Sequence, residues 1–200
     1  MSLRLRRGLR WLAWALLLPA LPALAFDLDQ LGRQLAGPAL LQGEFVQQKH
    51  LRALAQPLVS RGQFELSAEQ GLLWQLRQPL TQDYRIDAQG ITRLGPQGWQ
   101  RQDGQDAAAQ QSRLFLAVLQ GDASGLARDF ELQLAGSAEA WTLELLPRTL
   151  LLQQVFSRIR IQGGRHVERI ELFETQGDRT LLQLTTHAPA ASGSVHVPSD

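Results

Sequence analysis

From Leu58 to Leu66 the residues alternate without a break: Leu58, Ser60, Gly62, Phe64 and Leu66 fall on one side, and Val59, Arg61, Gln63 and Glu65 on the other. Successive side chains of a strand point to opposite faces, so this segment predicts a strand with one apolar and one wet face. Leu41 to about Leu51 predicts a preceding strand with Phe45 on the apolar face, joined to it by Arg52–Pro57. After a turn at Ser67–Gly71, Leu72, Trp74 and Leu76 alternate on a third strand that Pro79 closes. Tyr84 and Ile86 lead through Ala88-Gln89-Gly90 into Ile91–Leu94, a hairpin pattern. The polar, Gly-rich stretch from Gly95 to Gly104, with Trp99 inside it, predicts a loop. Alternation returns at Phe130, Leu132 and Leu134, and again at Trp141, Leu143 and Leu145. Arg158–Ile161 and Val167–Phe173 flank Gly163-Gly164 as a second hairpin, and Gln176-Gly177-Asp178 turns the chain into a last strand over Thr180–Thr186.

Helical spacing is rarer. Leu28, Leu31 and Leu35 recur at helical intervals after Asp27, a good capping residue, and Gly37-Pro38 ends that helix. Gln105–Gln120 carries the strongest helical pattern, with Leu114, Phe115, Val118 and Leu119 on one face and Gly121 as its stop. Thr149–Phe156 is apolar and predicts a short helix or lid segment. Ala188–Asp200 is small and polar and is expected to fray. The tally is nine or ten strands and two or three helices in one domain. Short turns between strands favour antiparallel pairing, and one apolar face per strand favours a curved sheet wrapped over helices.

The first 25 residues change the charge picture. Arg4, Arg6, Arg7 and Arg10 precede an apolar run, Trp11–Pro22, and Ala23-Leu24-Ala25 fits a small-x-small cleavage site. The run is shorter than the ~20 residues of a membrane-spanning helix. Residues 1–25 are therefore expected to be a bacterial export signal, cleaved after Ala25, with residues 26–200 as one periplasmic domain; an uncleaved anchor is the rival reading. Without those four arginines, Lys plus Arg falls from 20 to 16 against 19 Asp plus Glu, a formal charge of −3. An acidic chain is poorly suited to neutralising phosphates, so no nucleic-acid partner is expected. With no cysteine in the chain, disulfide stapling and thiolate chemistry are excluded.

Candidate catalytic groups are sparse. His50, His166, His187 and His196 have no metal-ligand spacing, and no thiolates are present to complete a zinc site. There is no Gly-x-Ser-x-Gly elbow, no Walker loop and no Gly-x-Gly-x-x-Gly. Asp83, Asp87, Glu168 and Glu171 fit the solvated charge of strand faces. No catalytic residue, metal or cofactor is expected, and the chain does not read as an enzyme. The aromatic set of Trp74, Trp99, Trp141, Phe45, Phe64, Phe115, Phe130, Phe156 and Phe173 is open to two readings. It fills an ordinary core, or, under a half-closed sheet, it lines a cavity for an apolar guest.

Three stretches carry a family resemblance. The first is Gly43-x-Phe45-x-Gln47-x-Lys49, Pro57-Leu58-x-Ser60-x-Gly62-x-Phe64 and Gly71-Leu72-x-Trp74 with Pro79. The second is Leu119-Gln120-Gly121-Asp122 leading to Leu126 and Phe130. The third is Trp141-x-Leu143-x-Leu145-x-Pro147, then Ile159–Gly163, Val167–Glu174 and Gly177-Asp178-Arg179-Thr180. Together they resemble the LolA-type periplasmic lipoprotein carriers, and more closely a divergent LolA-like branch found beside lipid and polyene-pigment biosynthesis genes. The resemblance implies an α+β fold: an unclosed, strongly curved antiparallel β half-barrel under an α-helical lid. It implies a carrier that shields the acyl chains of a lipoprotein or related lipid on the way from inner to outer membrane. An inner-membrane transporter and an outer-membrane acceptor would be its partners, and a monomer is expected. A LolA-fold sensor or protein-interaction module of the envelope is the alternative. The expected cavity lining is Phe45, Leu58, Phe64, Leu66, Trp74, Leu76, Tyr84, Ile86, Phe130, Leu132, Trp141 and Leu143, with Leu114, Phe115, Val118 and Leu119 on the lid side. LolA proper latches its lid with an arginine shortly before the third strand. Here Glu69-Gln70-Gly71 occupies that stretch, so no latch residue carries over.

Overall fold

A computed structural model describes residues 26–102 and 114–187. The proposed export signal, residues 103–113 of the long predicted helix and the tail from 188 onward lie outside the described residues. The strands are β1 (Leu40–His50), β2 (Leu58–Ser67), β3 (Gly71–Gln78), β4 (Gln82–Asp87), β5 (Gly90–Gly95), β6 (Gly98–Arg101), β7 (Phe130–Ser137), β8 (Ala140–Pro147), β9 (Phe156–Gly163), β10 (Val167–Glu174) and β11 (Arg179–His187). They form one antiparallel sheet of 11 strands in the order β6-β5-β4-β3-β2-β1-β11-β10-β9-β8-β7. Each strand pairs with its chain neighbour except where β1 closes on β11, which joins two meanders in the middle of the sheet. The edges, β6 and β7, do not meet, so the barrel is unclosed. The helices are α1 (Leu28–Ala36), α2 (described over 114–119), α3 (Ala123–Asp129) and α4 (Leu150–Val155).

Two elements escape the hydrophobic pattern. The stretch expected to be a loop after Gly95 instead turns at Pro96-Gln97 and returns as β6. Gly98 supplies the positive φ (+97°) that the turn requires. Trp99 lies on the outer face with the Arg85 guanidinium 4.7 Å from its ring centroid, so it is not part of the core. The segment after Gly121, for which the hydrophobic pattern predicts no element, is the helix α3. Gly121, at φ +69°, ends α2, and the Asp122 carboxylate then accepts from the Gly125 N–H at 2.8 Å to start α3. α1 begins as its sequence indicates: Asp27 and Gln30 form a reciprocal capping box.

The centre of the sheet is organised by two Gly-x-Phe segments running in opposite directions. Gly43 of β1 faces Phe64 of β2, and Phe45 of β1 faces Gly62 of β2. Each ring lies over the glycine opposite. A Cβ at Gly43 would sit 2.8 Å from the Phe64 ring and 2.2 Å from the Thr185 carbonyl oxygen. A Cβ at Gly62 would sit 2.7 Å from the Phe45 ring and 2.0 Å from the Gln75 carbonyl oxygen. With no side chain at Gly62, Phe45 reaches across β2 and stacks on Trp74 of β3, ring centroids 3.7 Å apart. Around this stack the concave face is continuous and apolar: Leu41, Leu66, Leu72 and Ile86 to one side, Ile159, Ile161, Ile170, Leu172, Leu182 and Leu184 to the other, all buried.

The convex face is polar, with one buried carboxylate. Glu171, expected to be solvated surface charge, is only 5% exposed. It lies under the guanidinium groups of Arg169 (2.8 Å) and Arg179, both hydrogen-bonded to its Oε1. Burial pushes its carboxyl up, but the hydrogen bonds and charges of the two arginines outweigh burial and hold it below its ordinary value of 4.5. Beside it, Arg160 clasps Glu144 through two N–H groups at 2.7 and 2.8 Å.

Two expectations follow. Gly62→Ala should destabilise the fold by ~3 kcal/mol or more through overpacking, a fall in melting temperature of roughly 6–12 °C by calorimetry. For Glu171, a depressed pKa means that its contribution is present above pH 4.5 and is lost as pH falls through the folded-state value. Glu171→Gln should therefore cost about 2 kcal/mol at neutral pH. It should also flatten the loss of stability below pH 4.5 in denaturant titrations at stepped pH.

Candidate functional site

Helices α1 and α2 cover the concave face. Leu31 and Leu35 of α1, Val118 of α2, Leu126 of α3, Trp141 and Leu143 of β8 and Ile161 of β9 meet around a void of about 20 Å³, no larger than a water site. The helices touch at glycines: a Cβ on Gly121 would fall 2.5 Å from the Gly32 carbonyl oxygen. On the other flank Phe115 of α2 sits over Trp74, ring centroids 6.3 Å apart, with Phe64 at the same distance on another side of that indole.

The two helices are attached differently. Gln34 of α1 donates from its side-chain amide to the Gly164 carbonyl at 2.6 Å and to the Ala138 carbonyl at 3.1 Å. Trp141 donates to the same Gly164 carbonyl at 2.7 Å. α1 is thus tied to the turns after β7 and β9. Among the described residues, α2 makes no hydrogen bond to the sheet; the bonds of its C-terminal end run within its own turn, from Gln120, Gly121 and Asp122. Leu114, Phe115, Val118 and Leu119 are all buried, so over its described residues α2 is held down by apolar contact.

A cleft of about 1080 Å³ opens where this cover parts from the sheet. The β2–β3 turn lends it Glu69 and Gln70, β4 Arg85 and Asp87, and the β4–β5 turn Gln89. α2 contributes Leu114, Leu116, Ala117 and Gln120; α3 contributes Leu126, Arg128 and Asp129. Phe130, Phe156 and Leu151 and Leu152 of α4 complete it. Its lining is mixed, with Leu114, Leu126 and Phe130 as the apolar floor and polar groups in about equal measure around them; among the described residues that line it, the carboxylates of Glu69, Asp87, Asp122 and Asp129 outnumber the guanidinium groups of Arg85 and Arg128. Such a space suits an amphiphile: a chain on the floor and a polar end among the turns.

All twelve residues expected to line a cavity lie on the concave face by register. The open space is elsewhere. Of the twelve only Phe130 borders the cleft, and of the lid set only Leu114. Phe45, Phe64, Leu66, Ile86, Trp141 and Leu143 are buried against the protein's own side chains, and Trp74, Leu76, Tyr84 and Leu132 are half-buried. Leu58 is 53% exposed, because β3 begins to pair with β2 only at Arg61 and nothing flanks Leu58 on that side. The cleft was hidden from hydrophobic patterning because turns and helix ends build it. The one available signal was the Gly121-Asp122 pair, a helix stop followed directly by a helix start.

A family model described as outer membrane lipoprotein carrier protein LolA-like matches residues 20–199. The chain belongs to that LolA-like family. Comparison with curated proteins finds no match. Solved structures with similar folds are distant in sequence. A LolA superfamily protein of Nitrosomonas europaea is 11% identical, with 80% of this chain and 91% of that chain covered and a TM-score of 0.45. A chain of the Pseudomonas aeruginosa MucA/MucB complex is 18% identical, with 82% and 57% covered and a TM-score of 0.45. In this LolA-like chain, the turn with Glu69 and Gln70 lies at the rim of the cleft.

If apolar contact alone seats α2, removing its aromatic anchor should free it without melting the sheet. Phe115→Ala is expected to accelerate amide exchange over 114–119 by ~100-fold or more while β1 and β2 amides keep their protection, as hydrogen-exchange mass spectrometry would show. Equal acceleration in both regions would mean that the cover and the sheet open as one unit.

Proposed function

We propose that this protein is a periplasmic carrier that shields the acyl chains of a lipoprotein or related lipid in transit from the inner to the outer membrane. One observation carries the reading: helix α2, whose described residues bury apolar side chains and make no hydrogen bond to the sheet, covers an apolar concave face beside a cleft of about 1080 Å³. The energetics favour such a design. Each methylene withdrawn from water is worth ~0.8 kcal/mol, so a 14-carbon chain costs on the order of 11 kcal/mol to expose. A carrier removes most of that cost for the length of the crossing. The chain enters on the cleft floor at Leu114, Leu126 and Phe130, and its head stays on the polar rim. Deeper entry displaces α2 from Phe45, Phe64 and Trp74, which then become the lining. An inner-membrane donor and an outer-membrane acceptor are the partners this reading calls for.

The test is lipid capture. Protein isolated from its native envelope should carry acylated molecules detectable by native mass spectrometry, and purified protein should take up a fluorescent fatty acid. Ala117→Trp places an indole on the cleft wall and should weaken uptake about tenfold or more with an unchanged circular dichroism spectrum. Phe64→Glu is a poor probe, since a charge at so buried a position would unfold the core. Absence of both bound lipid and uptake would sink the carrier reading. A stable protein partner retained by Ala117→Trp would then favour an envelope interaction module.

A further inference from the structure

Helix α4 presents its leucines to solvent. Leu150 is 78% exposed, the most exposed large apolar residue among those described, and Leu151 is 59% exposed. Loose attachment does not explain this. The Arg148 N–H donates to the Asp129 carbonyl at 2.8 Å, and at the other end Thr175 donates from its N–H to Val155 and from its hydroxyl to Gln153, both at 3.0 Å. The helix is pinned at both ends with its leucines facing outward.

The surroundings select a partner. Thr149–Ser157 contains no charged residue, yet Arg148 and Arg158 bracket it. Neither arginine pairs with a carboxylate among the described residues; Arg158 lies over the Phe173 ring at 4.3 Å, with Arg179 over the same ring at 5.6 Å. A pair of leucines is far too small for a stable protein interface, which needs about 800 Å² per partner. Two leucines bracketed in the chain by arginines that have no carboxylate partner among the described residues match the boundary of an anionic bilayer, where apolar side chains settle below the headgroups and guanidinium groups meet phosphates.

We propose that α4 docks the protein on an anionic phospholipid bilayer, with Leu150 and Leu151 in the headgroup–acyl boundary and Arg148 and Arg158 on lipid phosphates. Leu151 also lines the cleft, so docking sets the cleft mouth against the lipid. A chain then passes between bilayer and protein without crossing water. The site itself extends beyond lipid carriage, since docking needs no bound ligand and is measurable on the empty protein.

The experiment is flotation of the mature protein with vesicles of phosphatidylethanolamine and phosphatidylglycerol, against vesicles of phosphatidylcholine alone. Flotation is expected with the anionic vesicles and should weaken as salt rises. Leu150→Asp, at a side chain that does not line the cleft, should reduce binding at least about tenfold with an unchanged melting curve. Arg148→Gln and Arg158→Gln should each reduce it about fivefold. Fatty-acid uptake in vesicle-free solution should be unaffected by Leu150→Asp, which separates docking from carriage. No flotation with anionic vesicles, flotation equal on both vesicle types, or flotation unchanged by Leu150→Asp would each overturn the proposal. So would binding only to native membranes and not to pure lipid, which would assign the surface to a protein.

Discussion

The structure depends on an exchange between glycine and phenylalanine at the centre of the sheet. β1 and β2 each carry Gly-x-Phe, and antiparallel pairing sets each ring over the other strand's glycine. Backbone contact at Gly43 and Gly62 leaves no room for a Cβ, so the strands are fixed in register by exclusion as well as by hydrogen bonds. The same exclusion lets Phe45 cross β2 to Trp74. Three strands are thereby joined by one aromatic stack, and that stack is the floor on which Phe115 of α2 rests. A larger residue at Gly62 would separate Phe45 from Trp74 and remove the seat of the cover along with the register of the sheet.

From that floor outward the molecule divides into a fixed and a releasable part. α1 is tied by Gln34 to two turns, and Trp141 shares one of its acceptors. Buried hydrogen bonds of this kind are costly to leave unmade, so α1 stays with the sheet. α2 has no comparable tie among the described residues. Its contacts are non-directional, and their loss exposes apolar surface without stranding a polar group. The close Gly32–Gly121 backbone contact lies between the two.

Much of this arrangement was legible in the sequence, for identifiable reasons. Strands with one buried face alternate visibly, so β2, β3, β8 and β10 could be placed from periodicity, and Asp27 and Gly121 marked helix ends through their side-chain chemistry. β6 was not legible, because four residues at a sheet edge bury little and show no alternation. α3 was hidden by its small residues, with Leu126 alone buried. Glu171 misled because a strand position facing outward normally meets water. Here two arginines from the same and the neighbouring strand fold over it, a long-range covering that no local pattern records. Faces, too, were readable where filling was not. Alternation tells which side of a strand is apolar, whereas the occupant of that side, a helix or an empty space, depends on how closely α2 descends.

That descent bears on how a carrier releases its cargo. A deep, permanently empty apolar pocket would bind an acyl chain with most of the ~11 kcal/mol that water exposure costs, and would hold it too tightly to pass on. In this protein the lid side chains already occupy the concave face. On the carrier reading, an incoming chain would exchange one set of apolar contacts for another, at ~0.8 kcal/mol per methylene in each direction, so the two states would lie close in free energy. Opening is then governed by competition between Leu114, Phe115, Val118 and Leu119 on one side and the cargo's methylenes on the other. A balance of that kind responds to modest influences, such as contact with a bilayer at α4, and needs no chemical energy spent on the carrier itself.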